Sequence, residues 1–414
     1  MINWPEIPIY ISLFVSLYVL ILYFIAFFES DNSDEIKIKK YPKVAIIVPA
    51  YNEEENITNT INSLLNLDYP KGKLKIYIVD DGSTDNTLKI LEENFKENKL
   101  VKILSKENEG KANAVNFALK NIEEDVDLIG LLDADSFVPE HSLKEVIKSF
   151  QKDKKVYAVT SAIKIHKTDT LIRKMQNAEY NLSIWLRKVF DNLGSIFIIP
   201  GPFSFYKREV FDKLGYFREA HGTEDLEMGM RMQKAGLKIV NNPRAVVYTV
   251  SPKTPTQLIK QRLRWVYGFI NNSIDYKDLF FNRVRKDNLS FFVLPTSALS
   301  LFFAIYIFYY SVHALLKLLF DKLSFFLEHG FELSFNFDLF FINFNLIFYL
   351  TIILLVIVFF ASRLGDKASG AENMKMSDYI SYALLYGFLA PVWISKAVYK
   401  TILRQKVKWV KVNK

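Results

Sequence analysis

The sequence predicts an α/β domain on a mainly parallel sheet, set between α-helical membrane segments. Three observations predict it. Between residues 44 and 132, four short apolar runs alternate with stretches of helical spacing, the pattern of βαβ units. Each of those runs ends in polar residues. Charge-free apolar stretches long enough to cross a bilayer lie toward both ends of the chain.

Composition narrows the class. A mean hydropathy of +0.09 is high for a soluble enzyme and reflects this clustering of apolar residues at the two ends. A net charge of +8 suits anionic lipid heads or a phosphorylated substrate. Acidic and basic residues are interleaved and no recognition motif is present, so nucleic acid is not an expected partner. With no cysteine there are no disulfides, thiolate zinc sites or Cys nucleophiles, and five scattered histidines give no zinc signature.

In chain order, Ile7 to Phe28 carries no charge and is long enough to span. A signal peptide is the competing reading, but the start lacks its basic residues. We expect a retained anchor followed by a charged linker, together residues 1–40. Residues 44–48 form a continuous apolar run, read as a buried parallel strand. It ends in Pro49-Ala50-Tyr51-Asn52-Glu53, with a helix over 56–65. A second strand, 75–79, ends in Asp80-Asp81-Gly82-Ser83-Thr84-Asp85, with a helix over 87–95. The third, 101–104, leads through Gly110-Lys111 into a helix over 112–120. The fourth, 129–132, ends in Asp133-Ala134-Asp135. A further strand is expected over 156–163 and a helix over 171–190.

In open α/β sheets, ligands bind beyond the carboxyl ends of the strands. Tyr51 offers a ring to a base. Glu53, Asp80 and Asp81 can accept from base N–H or ribose hydroxyls. Lys111 can neutralise a diphosphate, and Asp133 with Asp135 can hold Mg2+ or Mn2+ through oxygen ligands. The competing reading of each is an ordinary turn; four such turns after four strands favour a nucleotide site. There is no Gly-x-Gly-x-x-Gly and no Walker loop.

Farther on, Ile198 to Phe205 is turn-rich and apolar. Glu224-Asp225 opens a helix over 226–235, where acids are often caps. Asp225 is also a natural general base, but on local sequence alone the cap is favoured. Helical spacing puts Gln261, Arg264 and Trp265 on one face, suited to phosphate and sugar or to a membrane flank. We expect residues 41–288 to form the catalytic domain. Residues 289–414 are the second membrane region, with spans near 289–316 and 339–361, an acid-rich loop between them, and a short segment at 379–395. The basic tail from Lys396 belongs in the cytoplasm by the positive-inside rule, which favours a re-entrant or interfacial 379–395 over the alternative, a short span that would put the tail outside.

Residues from about Lys43 to Tyr267 resemble glycosyltransferase family 2, in particular its processive membrane synthases of poly-N-acetylglucosamine, chitin oligosaccharide, hyaluronan and cellulose. The resemblance runs through the segments quoted above, with Gly201-Pro202 and Thr223-Glu224-Asp225. It implies the GT-A fold, the Rossmann-like mixed sheet of nucleotide-diphospho-sugar transferases, joined to an α-helical transmembrane region. It implies a nucleotide-diphospho-sugar donor, UDP-linked, a glycan or lipid-linked acceptor, and Mg2+ or Mn2+. Tyr51, Glu53, Asp81, Lys111 and Asp133 would bind the nucleotide sugar, and Asp133 and Asp135 the metal. Asp225 would be the base, and Gly201, Pro202, Glu224, Gln261, Arg264 and Trp265 would serve acceptor and diphosphate. The expected protein is an inverting, metal-dependent polysaccharide synthase of the cell membrane with its catalytic domain in the cytoplasm. The rivals are a transferase adding one sugar to a lipid-linked acceptor and a non-catalytic membrane transport or anchoring protein. Cellulose synthases carry more membrane helices, so the build is closest to the poly-N-acetylglucosamine and chitin-oligosaccharide type.

Overall fold

A computed structural model describes residues 7–29, 37–329 and 346–407. In chain order it contains α1 (Ile7–Phe28), β1 (Val44–Ala50), α2 (Ile57–Leu65), β2 (Leu74–Asp81), α3 (Thr87–Phe95), β3 (Val101–Lys106) and α4 (Lys111–Asn121). Then follow β4 (Leu128–Leu131), β5 (Ser136–Phe137), α5 (Ser142–Lys152), β6 (Val156–Ile165), α6 (Leu171–Asn192), β7 (Ser204–Lys207), α7 (Glu209–Leu214) and α8 (Glu224–Lys234). The chain continues through β8 (Lys238–Thr249), α9 (Pro255–Asp275), α10 (Leu294–His329), α11 (Leu346–Ala368) and α12 (Met376–Ile402).

The eight strands form one mixed sheet in the order β3-β2-β1-β4-β7-β6-β8-β5. The first four are parallel, as the sequence predicts. β7 then runs antiparallel between β4 and β6. The period-2 alternation of β1 explains its burial on both faces. Val44, Ile46 and Val48 enter the core under α2, α3 and α5, while Ala45 and Ile47 enter the one under α4, α7 and α8. Register places the polar ends together: Ala50 lies opposite Asp80, Asp81 opposite Lys106, and Leu131 opposite Ser204. The reversed β7 therefore starts at the edge where the parallel strands end, which brings Gly201 and Pro202 to Asp133.

Four helices among the described residues are long and apolar enough to cross a membrane. Two differ from expectation. α10 continues to His329, through Lys317, Asp321 and Lys322, where a loop is expected. The last segment is a 27-residue helix with Pro391 inside it rather than a short one. The start of the expected span at 339–361, the expected loop after residue 329, most of the linker and the end of the tail lie outside the described residues. The long apolar helices meet the sheet domain through α6 and α9. Tyr23, Ala26, Trp185, Val189 and Ala361 form one core, and Ile172, Met175, Leu258, Ala390, Trp393 and Ile394 another. α11 approaches α6 so closely that a Cβ on Gly365 would lie 1.9 Å from the Asn181 carbonyl oxygen.

Candidate active site

Tyr51, Glu53, Asp81, Lys111, Asp133 and Asp135 line one cleft of about 1760 Å³, together with Glu224, Asp225, Gln261, Arg264 and Trp265, whereas Asp80 is buried away from it and accepts from Ser83 N within its own turn. That exceeds a site for one small ligand, typically about 300–1,000 Å³, and leaves room for two substrates side by side.

The first two loops are tied to each other. Asn52, in the left-handed region at φ 56°, accepts through Oδ1 from Thr84 N (2.7 Å) and Asp85 N (3.3 Å). Glu53 N donates to Thr87 Oγ1 at 2.7 Å. Asp81 is buried and holds the third loop, accepting from Gly110 N (2.8 Å), Glu109 N (3.2 Å) and Lys106 Nζ (3.2 Å). Its place in the cleft wall thus comes with a structural duty. Tyr51 and Glu53 line the cleft beside it.

Lys111, the first residue of α4, donates to Asp133 Oδ1 at 2.6 Å and lies 3.5 Å from Glu224. Burial works to lower its pKa, but Asp133, Glu224 and Asp225 more than offset this and raise it. Asp135 is pushed up to about 7, first by burial and then by Asp133 and Glu53. Among the described residues no three His, Asp or Glu side chains form a self-sufficient metal cage. Two aspartates crowded at one point, with Glu53 adding to the repulsion, nevertheless fit a hard divalent cation that takes its other oxygens from a phosphate. Gly201 permits this geometry, since a Cβ there would lie 2.8 Å from Lys111 Nζ and 3.3 Å from Asp133 Oδ1. Pro202 lines the cleft next to it.

Asp225 stands at the start of α8 with Oδ1 accepting from Leu226 N at 2.9 Å. Burial and then Glu224 raise its pKa to about 6, while Lys111 and Arg264 pull it down. A carboxylate poised there can take a proton near neutral pH. The loop before it is strained, with Ala220 and His221 at positive φ. Arg264 Nη1 holds that loop by donating to the Gly222 carbonyl at 2.6 Å.

Two residues escaped the sequence reading. Arg262 pairs with Glu179 at 2.9 Å, and its guanidinium lies 4.2 Å from the centre of the Trp265 ring. Both line the cleft, and together they fix the face that Trp265 presents. Arg262 sits inside the recognised segment, but its partner is 83 residues away, so no local signal marks the pair.

Residues 42–268 match the family described as glycosyltransferase like family 2. A poly-beta-1,6-N-acetyl-D-glucosamine synthase of Staphylococcus epidermidis is 32% identical over 253 residues, covering 61% of this chain and 60% of that protein. One from Staphylococcus aureus (strain COL) is 29% identical over 268 residues, covering 64% of this chain and 63% of that protein. The matched stretch thus spans under two thirds of these relatives. In fold, the chain is similar to the mannosyltransferase PcManGT from Pyrobaculum calidifontis, solved with GDP-Man and Mn2+ (TM-score 0.61, 17% identity, 95% of this chain and 98% of that one).

Proposed function

The chain belongs to glycosyltransferase like family 2, and from that premise we propose an inverting membrane glycosyltransferase. It moves a sugar from a nucleotide-diphospho-sugar, UDP-linked, to a growing β-linked polysaccharide. The observation that carries the reading is the convergence on one cleft of Lys111, Asp133, Asp135, Asp225 and Trp265, four of them charged. The synthase relatives support a polymeric product and UDP-N-acetylglucosamine as the first donor to test.

In the proposed mechanism, Tyr51, Glu53 and Asp81 form the nucleoside end of the cleft. Lys111 and Arg264 face the diphosphate, and Gln261 and Trp265 the acceptor sugar. Asp225 takes the proton of the acceptor hydroxyl as that oxygen attacks the anomeric carbon. The bond to the diphosphate breaks on the opposite face, so the configuration inverts. Lys111 and Arg264 receive the charge that develops on the leaving diphosphate. Asp133 and Asp135 would hold Mg2+ or Mn2+, which supplies further neutralisation of that charge.

The same reading sets the catalytic domain at the cytoplasmic face of the cell membrane. The path of α12 supports an interfacial course for the last helix. It touches the catalytic domain at its start through Asp378 and Asn177, in its middle through Trp393 and Ile394, and at its end through Thr401 and Asn271. A helix held along its whole length by that domain lies beside the bilayer rather than leaving through it.

The test is a donor screen on the protein in detergent or nanodiscs, with labelled UDP-glucose, UDP-N-acetylglucosamine, UDP-glucuronate and GDP-mannose and either metal. A ladder or high-mass product from one donor is expected. A single labelled lipid would move the protein to single-sugar transfer, and no turnover or binding of any donor would leave a non-catalytic membrane protein.

A further inference from the structure

The face of α6 turned away from the cleft carries a second polar cluster. Glu179, Ser183 and Leu186 line the cleft. Asn177 and Asn181, offset from them along the helix, are 0% exposed; Asn177 reaches α12, and the backbone of Asn181 meets α11 at Gly365. Being four residues apart, they are neighbours on one face.

Asn177 Nδ2 donates to Asp378 Oδ2 at 2.9 Å. The same oxygen accepts from Lys375 N at 3.0 Å, capping α12. Asp378 Oδ1, Asn177 Oδ1 and both side-chain polar atoms of Asn181 are buried without a hydrogen-bond partner. Asp378 is itself 0% exposed, and no Lys, Arg or His among the described residues pairs with it. A carboxylate buried without a counter-charge is costly. The start of α12 offsets part of that cost, but it engages only Oδ2.

The same junction contains a control. Asp366 at the end of α11 is equally buried, and there Lys164 from β6 supplies the positive charge at 2.6 Å. Asp366 also accepts from Asn373 N and Met374 N, both at 3.1 Å. One aspartate of the junction has its cation on the chain and the other has not.

We propose that Asp378, Asn177 and Asn181 form a binding site for a single alkali cation, Na+ or K+. The donors are oxygens, which hard cations prefer. One carboxylate with neutral amides balances one positive charge, so a divalent ion would leave the buried site charged. The bound ion clamps α6, whose opposite face positions Glu179 and through it Arg262 and Trp265, onto α12.

The test uses the full chain in detergent without donor. Thermal midpoints are measured in NaCl, KCl and N-methyl-D-glucamine chloride at equal ionic strength. One alkali ion should raise the midpoint by about 2–4 °C and saturate. Asp378→Asn should abolish the rise. Asn181→Leu should move its half-saturation to about tenfold higher concentration, and it carries the test if Asp378→Asn does not fold. Equal midpoints in the three salts would overturn the proposal, leaving water or a protonated carboxyl in this place. A rise that persists unchanged in both variants would overturn it too, by placing the ion elsewhere.

Discussion

Lys111 and Lys164 each hold an aspartate at 2.6 Å, one at the mouth of α4 and one behind α6. The Lys111 and Asp133 side chains are each 30% exposed to the cleft, and further carboxylates crowd around them. Lys164 and Asp366 are both sealed from solvent, and Asp366 is further satisfied by backbone N–H groups. Charges gathered in excess and left facing open space are arranged for something that arrives. A pair closed on itself is arranged to stay. The two regions thus separate the proposed site from a seam that holds the sheet domain to the long apolar helices.

The largest effect expected on the acting side comes from Asp225. Asp225→Asn keeps the shape and the Leu226 contact but cannot take a proton. Turnover should fall by about 10²–10⁴-fold while donor binding, followed by calorimetry, survives. Retained turnover would return Asp225 to the role of a helix cap. On the holding side, Lys164→Met leaves Asp366 buried with only Arg363, at 3.4 Å, as a counter-charge. It should cost about 3–5 kcal/mol in thermal or denaturant unfolding, and the double change to Met at 164 and Asn at 366 should recover much of this. If Lys164→Met cost nothing, the contrast between the regions would collapse.

The acting side was the more legible of the two in sequence. Asp133-Ala134-Asp135, Gly110-Lys111 and Glu224-Asp225 each stand where an apolar run or helix begins or ends, so local pattern placed them. β8 was missed because Asn241, Asn242, Pro243 and Arg244 interrupt its apolar run. The structure accommodates them where the register with β6 shifts between Ser161 and Ala162, and such irregularities tolerate Pro in a strand. The holding side was almost illegible. Lys164 and Asp366 are 202 residues apart and Asn177 and Asp378 are 201 apart, and no periodicity announces a pair at that distance. The length of α10 was missed for a simpler reason. Lys317, Asp321 and Lys322 are exposed on it, and charges that end an apolar stretch need not end a helix.

Smaller changes sharpen the comparison. Gly201→Ala places a methyl against the Lys111–Asp133 pair. It should raise the KM for donor about tenfold with little loss of stability, because the cleft is open while the seam is not. The converse test is Gly365→Ala, where the added carbon meets backbone of α6. It should lower the unfolding midpoint and leave the KM for donor unchanged in the protein that remains folded.

The smallest effect concerns pH and belongs to the acting side alone. The proposed base must be ionised to accept a proton, and Asp225 has its pKa raised to about 6 by burial and by Glu224. With donor and metal saturating, kcat should therefore fall as pH drops through about 6, approaching tenfold per unit at the acid end. Glu224→Gln removes the like charge beside Asp225. Its removal favours the ionised form, so the acid limb should move to lower pH while the plateau changes less than the midpoint. Lys164→Met should leave that limb where it is. A limb that moves with Lys164 and not with Glu224 would mean that the buried seam, rather than the cleft carboxylates, sets the proton affinity of the site.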